Sequence, residues 1–445
     1  MTEGPPLRLL LRFILPIMAA LIFQQLYNIV DGLIVGQLLG MEAFAAVGST
    51  GTAMYLTLGT FEGLCTGFSI VTATRLGAKD DKGVGRSYTV GMVLTLMLSI
   101  ISAIGLSLAT RPLLHLTQTP EEIFEWAAEY LTVIYAGTPI VGLYSFFTNS
   151  MRAVGDSRTP LLLLILACVL NIGLDYAFIA LFHMGVGGAA YATIAAQLIA
   201  ALLCLAIIKK KFRLLQMTRA ALPLQREDCT ELFRMGLPMF LQNAVVGVGS
   251  MIVQYAVNLM GVIVVAACTA GNKISSVIVQ AVLTAFGTGM APYVAQNVGA
   301  RRMDRVREGV RKCLGVSIVV AVFFGAIMIL FGGTLTSIFV GETNPEVTEK
   351  AHQYLAYMGW SFWILSALFI FRNALQGLGN ARIPMLSGTM ELVGRAVATL
   401  VLQNMIAFTG VCLATPLGWL IATIPLAISY LRTARRVENK LERNL

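Results

Sequence analysis

The sequence predicts an all-α membrane protein: twelve transmembrane helices arranged as two pseudo-symmetric bundles of six. Three observations carry that prediction: the composition, a succession of long apolar runs, and an internal duplication. Of 445 residues, 57% are hydrophobic and 12% charged, with a mean hydropathy of +0.77. A water-exposed domain cannot hide that much apolar surface, whereas a bilayer solvates it.

Crossing ~30 Å of hydrocarbon takes about 20 apolar residues of helix. Between polar breaks, such runs lie near residues 10–32, 42–74, 87–110, 124–150, 160–181 and 187–208 in the first half. In the second half they lie near 232–258, 264–298, 312–333, 351–378, 384–406 and 411–432. The first run is a membrane helix and not a cleaved signal peptide, because it contains Asp31 and no small-residue cleavage site follows a short apolar core.

The halves repeat one another. Arg12 and Pro16 align with Arg234 and Pro238, and Gly67, Ala73, Gly77 and Ala78 with Gly289, Ala295, Gly299 and Ala300. After a short insertion, Tyr130, Leu131, Asn149, Gly155, Arg158 and Pro160 align with Tyr354, Leu355, Asn373, Gly379, Arg382 and Pro384. Helix starts agree too: Thr119-Pro120-Glu121 and Asn344-Pro345-Glu346 each offer an N-cap, a proline and a first-turn acid. Six spans return the chain to the same side, so these are parallel repeats about an axis along the membrane normal. The domains expected are a six-helix lobe over 1–208, a linker over 209–231 that carries Lys209, Lys210, Lys211 and Pro223, and a second lobe over 232–445. Duplicated bundles of this kind suit alternating access by rocking one lobe against the other.

The formal net charge of +9 is distributed by loop. Lys and Arg crowd the loops on one side: Arg75 to Arg86, Lys209 to Arg234, Arg301 to Lys312, and the tail after Ser429; the opposite loops hold Arg111 and Lys350. This asymmetry orients a multi-pass protein of the cell inner membrane with both termini in the cytoplasm. Nucleic acid is not an expected partner, since binding it takes one clustered basic face with stacking aromatics. Seven cysteines stand singly and read as small apolar residues, not as a disulfide or metal framework.

An ionisable side chain near the bilayer centre costs at least about 2.5 kcal/mol, so each is a candidate for function. Those within the spans are Asp31, Glu62, Asp175, Glu391, Lys273, Arg372 and Arg395. At ~1.5 Å per helical residue, Asp31 lies ~28 Å beyond Arg12 and Asp175 ~22 Å beyond Pro160, both toward the outer side. Thr193 is at a similar depth. Asn171 stands four residues before Asp175 and therefore on the same helix face. Asp31, Asn171, Asp175 and Thr193 thus form an oxygen-only set fit for a hard cation such as Na+, or for a proton. A plainer reading has Asp175 bonded to Asn171 or a helix carbonyl and Asp31 facing a wet crevice.

The second half lacks a copy of this set. Asn171 aligns with Arg395, Asp175 with Thr399, and Asp31 with Val253 or Gln254. Glu391 and Arg395 stand four residues apart, with Arg372 at a similar depth, ~15 Å from the inner face; they read as a neutralised structural ion cluster or, alternatively, as groups with a substrate or coupling role. Glu62 and Lys273 either line a central cavity or snorkel. Tyr55, Phe61, Phe286, Met290 and Tyr293 are adaptable cavity candidates, although the same residue types fill ordinary helix contacts.

Enzyme constellations are missing: His115, His183 and His352 lie far apart, with no HExxH, no GxSxG and no phosphate-cradling glycine loop. The chain is read as a non-enzyme without cofactor, powered by an ion gradient.

At this point a family resemblance emerges. The segment Pro16 to Gly51, ending LYNIVDGLIVGQLLGMEAFAAVGSTG, resembles the first helix and following turn of the multidrug and toxic compound extrusion (MATE) family. RLGAKD (75–80) with NVGARR (297–302), and MRAVGDSRTP (151–160) with LQGLGNARIP (375–384), resemble its paired repeats. The likeness covers essentially the whole chain. It implies a V-shaped antiporter that exports small organic compounds, often cationic and amphiphilic, in exchange for H+ or Na+. It also implies that Asp31, Asn171, Asp175 and Thr193 form the cation-coupling site, and that helix 1, weakened at Pro16, bends with occupancy. Members that couple through acids of helices 7 and 10 differ from this chain, whose helix 7 offers Gln242, Asn243, Gln254 and Asn258 as long polar groups. The alternative function is a lipid-linked sugar flippase of a related fold, which calls for a strongly cationic central cavity. A monomer embedded in membrane lipid is expected.

Overall fold

A computed structural model describes residues 1–116, 119–217, 224–340 and 345–443, and among them the chain is helical without strands. The helices are α1 (Pro6–Leu39), α2 (Met41–Gly77), α3 (Asp81–Leu116), α4 (Glu121–Ala136), α5 (Thr138–Ala153), α6 (Arg158–Tyr176) and α7 (Gly185–Lys211). They continue as α8 (Arg226–Asn258), α9 (Val262–Ser275), α10 (Ala281–Gly299), α11 (Met303–Val340), α12 (Pro345–Gly377) and α13 (Arg382–Arg443). Single π-turns, Ala177–Leu181 and Ser276–Gln280, extend α6 and join α9 to α10.

Long apolar helices account for the predicted spans. The 62-residue α13 is divided by non-helical backbone at Ile406 and Ala407, so it supplies the last two. One expected span, 124–150, is instead two helices, α4 and α5, meeting at Gly137 with a bend of 51°. The glycine is there for space: a Cβ at Gly137 would sit 2.3 Å from Ile194 of α7. At the start of α4 the cap residue is Pro120, one position after the expected Thr119. Asn344, and Pro223 of the linker, lie outside the described residues.

The duplication extends to backbone turns. Left-handed residues recur in pairs: Lys79 (φ 58) with Arg301 (φ 57), Gly155 (φ 93) with Gly379 (φ 81), and His183 (φ 52) with Ala407 (φ 48). At the first pair the amide of Asp80 donates to Arg75 O at 3.0 Å, and that of Arg302 to Asn297 O at 2.8 Å, the same reversal that ends a helix by recapturing its free carbonyls. After the second pair the next helix starts on a matching cap. Asp156 accepts from the Arg158 and Thr159 amides at 3.0 Å, and Asn380 from the Ile383 amide at 3.4 Å. Deeper in each half, Asn149 and Asn373 each donate to the carbonyl four residues back, at 2.9 Å.

Packing divides the chain into two units, Phe23–Phe240 and Met1–Ile22 with Leu241–Leu445. Each includes one helix end from the other half of the sequence. In the Phe23–Phe240 unit, α2 packs on α3, α4 and α5, while α7 lies against α4, α5 and α6. The start of α8 also belongs here. Phe240 packs edge-on against Phe61 and Phe233 against Phe68, and Asp228 holds Arg75 at 3.1 Å and Arg86 at 2.7 Å. Where α2 and α8 cross, a Cβ at Gly67 would lie 2.4 Å from Gly236 Cα. Lipid leaves little hydrophobic drive between helices, so small residues that admit such close approach are what hold them.

In the other unit α12 is central and touches α9, α10, α11 and α13. The start of α1 joins its core through Leu10, Phe13, Ile14 and Ile17, all buried. Arg305 ties that end down by donating to Gly4 O at 2.8 Å and Asn297 Oδ1 at 3.0 Å.

Candidate cation site

Three helices of the Phe23–Phe240 unit bring oxygen atoms into one apolar pocket. On α1, Tyr27 and Asp31 are one turn apart and share a face. On α6, Asn171 and Asp175 do the same, and both are buried, Asp175 completely. Thr193 comes from α7, and Tyr130 of α4 lies beside both carboxyls. All four residues of the predicted set meet.

Contacts run through Asn171. Its side chain bonds the Tyr27 hydroxyl and reaches an Asp175 oxygen at 3.4 Å. Turning the amide over serves more partners: Nδ2 then donates to Asp175 at 3.3 Å, and Oδ1 accepts the Thr193 amide at 3.1 Å. In that orientation the Tyr27 oxygen accepts from Asn171, and its own proton is left to point toward Asp31, one helical turn away. The Thr193 hydroxyl donates to Ala189 O at 3.1 Å, so toward the site it can only accept, and the Tyr130 hydroxyl faces the same oxygen.

The carboxyls of Asp31 and Asp175 are near neighbours, each close enough to act on the charge of the other. Two bare carboxylates accept and do not donate, so a bond between them needs a proton, and a cation between them does the same service. Ionised together about 4 Å apart, they would repel by roughly 4 kcal/mol at an effective dielectric constant of about 20. Among the described residues neither has a Lys or Arg partner. Asp31 Oδ1 is buried with no hydrogen bond at all. Such a pair has the chemistry to accept a small mobile positive ion. Oxygen donors without thiol or imidazole suit a hard monovalent cation or a proton.

Tyr27 and Tyr130 stand outside the predicted set, since each carries no charge at neutral pH and reads by residue type as an ordinary helix-packing aromatic. The sequence did carry signals: Tyr27 precedes Asp31 by one helical turn, and Tyr130 is one of the duplicated positions.

The remaining candidates separate. Glu62 accepts from Asn149 at 2.9 Å and faces Arg152 at 3.7 Å. Lys273 and Tyr55 are exposed. Met290 and Tyr293 are wholly buried, and the Tyr293 hydroxyl is spent on Arg305 O at 2.9 Å, which places both in packing and not on a cavity wall. Glu391 is held by Arg372 at 2.7 Å and by Arg395, so the predicted cluster forms. It is not neutral, however, because two guanidiniums share one carboxylate.

Similarity to known proteins agrees with this architecture. The MatE family model matches residues 16–177 and 238–401, one copy per half. The chain belongs to the MatE family. It is 31% identical over 379 residues to the probable multidrug resistance protein YpnP of Bacillus subtilis, covering 85% of this chain and 84% of that one. It is 26% identical to YoeA of the same organism, also a probable multidrug resistance protein, over 84% of this chain and 81% of that one. Among solved structures, an outward-facing multidrug resistance MATE family transporter superposes with a TM-score of 0.90 at 23% identity, over 98% of this chain and 97% of that one. The fold is thus that of MATE transporters, and the chain is a multi-pass membrane transporter of the multidrug exporter family, not an enzyme.

Proposed function

We propose that this MatE member exports small organic compounds, amphiphilic or cationic, by antiport against H+ or Na+, with a single chain as the transport unit. In this reading it sits in the cell inner membrane with both ends and the basic loops in the cytoplasm. One observation carries the coupling: two adjacent aspartates in an apolar pocket, without a basic partner, one of them with a buried oxygen that nothing satisfies.

The chain's residues divide the work. Asp31 and Asp175 supply the charge that makes occupancy by one cation favourable. Asn171 holds Asp175 and Tyr27 in register, and Thr193 adds an oxygen from α7. The ion enters with its gradient, worth about 2.3 kcal/mol per charge per 100 mV before any concentration difference. α1 passes occupancy on: its residues up to Ile22 pack in one unit, while Tyr27 and Asp31 belong to the other. Cation and substrate that favour different arrangements of such a shared helix exchange across the membrane in alternation.

The test uses the full chain in sealed vesicles, with ethidium as probe and a pH or Na+ gradient imposed separately. Driven ethidium movement in wild type, about tenfold or more weaker in Asp31→Asn and Asp175→Asn, is the expected result, since losing a charged ligand from a buried site costs that much. Equal driven movement in Asp31→Asn, or a leak that ignores both gradients, defeats the reading.

A further inference from the structure

The Leu241–Leu445 unit contains a second polar cavity, of about 280 Å³, at the place that corresponds by duplication to the cation pocket. Its lining includes Arg395 and Tyr354, the counterparts of Asn171 and Tyr130, together with Gln254, Asn272, Gln280 and Thr415. No carboxylate lines it. Where the first bundle gathers two acids, this one presents a guanidinium.

The charges nearby do not close. Arg372 and Arg395 both bind Glu391, with side chains 9%, 13% and 5% exposed, which leaves one positive charge in excess inside the bundle. Burying an uncompensated charge costs several kcal/mol even after relaxation. Arg395 also retains a buried Nε–H without an acceptor. Gly418 makes room for this side chain, since a Cβ there would fall 2.5 Å from Arg395 Cγ. Amide donors are available beside it: Asn272 Oδ1 accepts the Tyr354 hydroxyl at 2.9 Å, which leaves the Asn272 NH2 free to donate.

We propose that this cavity binds a small monovalent anion, held by the Arg395 guanidinium and the Asn272 amide. The chemistry is that of a halide or a carboxylate, so the occupant is either an inorganic anion or the carboxylate of a carried compound. The site is independent of cation coupling at Asp31.

Equilibrium binding of radiolabelled chloride to the purified full chain in lipid nanodiscs tests it, with benzoate as competitor. Wild type is expected to bind saturably, Asp31→Asn equally, and Arg395→Gln about tenfold or more weakly, as befits loss of a charge-assisted bond. Arg395→Gln leaves Glu391 paired with Arg372. Asn272→Ala leaves the ion cluster untouched, and is expected to bind several-fold more weakly. Displacement by benzoate identifies a carboxylate site, and its failure an inorganic-anion site. Absence of saturable binding of both probes in wild type overturns the proposal. So does undiminished binding in Asn272→Ala, or in a folded Arg395→Gln.

Discussion

Tyr27 distinguishes a built pocket from two acids that happen to be near each other. Its hydroxyl bonds Asn171, which in turn reaches Asp175, so it helps to fix where a carboxyl stands without carrying charge itself. Tyr27→Phe removes one neutral bond, worth about 0.5–1.5 kcal/mol, and is expected to weaken cation-driven transport roughly 2- to 12-fold, less than Asp31→Asn. Flux in vesicles measures the order, and an effect of Tyr27→Phe equal to that of Asp31→Asn contradicts it. Asp156, in the turn between α5 and α6, shows a charge with a structural task. Burial raises the affinity of its carboxyl for a proton, but the Lys211 ammonium at 2.7 Å and the Thr159 amide and hydroxyl outweigh that, holding it below the usual carboxylate range. The stability it contributes is present above a carboxylate's ordinary pKa of about 4 and is lost as pH falls through the lower folded value. Asp156→Asn, which keeps an amide oxygen for the cap, is expected to lower stability at neutral pH by under about 1 kcal/mol, because Lys211 is mostly exposed. Melting curves of the two proteins should converge only as pH falls below about 4, through the lower folded value; a gap that widens as pH falls contradicts the pairing.

Helix ends and crossings depend on a few small residues. The crossing of α2 and α8 tests this, because the Gly67 Cα faces Gly236 with no room for a methyl group, whereas Gly105 of α3 has nothing within 4 Å. Gly67→Ala is expected to lose about 1–3 kcal/mol from overpacking, while Gly105→Ala is neutral or gains up to about 1 kcal/mol from helix propensity. Thermal unfolding in detergent compares them directly, and equal shifts would refute the close approach. These crossings also mark what the sequence hides. Apolar runs and basic loops give the spans and their order, because the bilayer imposes length and polarity on every helix alike. The bend at Gly137 and the π-turns are invisible in that pattern: hydropathy averages over the residue at which a helix breaks. Asp31, Asn171, Asp175 and Thr193 are legible because helical spacing and depth are nearly one-dimensional. Tyr27 and Tyr130 are not, since hydrogen bonding to a carboxyl depends on side-chain direction across three helices. Arg372, Glu391 and Arg395 are legible as neighbours, but their charge balance is settled by contacts that spacing leaves open.

At the scale of the whole molecule, one fold unit used twice carries opposite electrostatics. Turn residues and caps recur in both halves, so the scaffold is shared. The chemistry diverges at corresponding depths, with two acids at Asp31 and Asp175 in one bundle and an excess guanidinium around Glu391 in the other. Under the proposed function, such divergence assigns the coupling ion to one bundle and leaves the other for a different ligand. α1 and α8 each have one end in either unit. All of this depends on Asp31 and Asp175 sharing one exchangeable positive charge. Infrared difference spectroscopy of the full chain in lipid, recorded on raising pH and on adding Na+, reads that charge at the carboxyl group itself. The account predicts that wild type loses a protonated-carboxyl band under at least one of the two changes, and that the band is missing in both Asp31→Asn and Asp175→Asn. A wild-type spectrum with no such band, or one unchanged in the two variants, would contradict it.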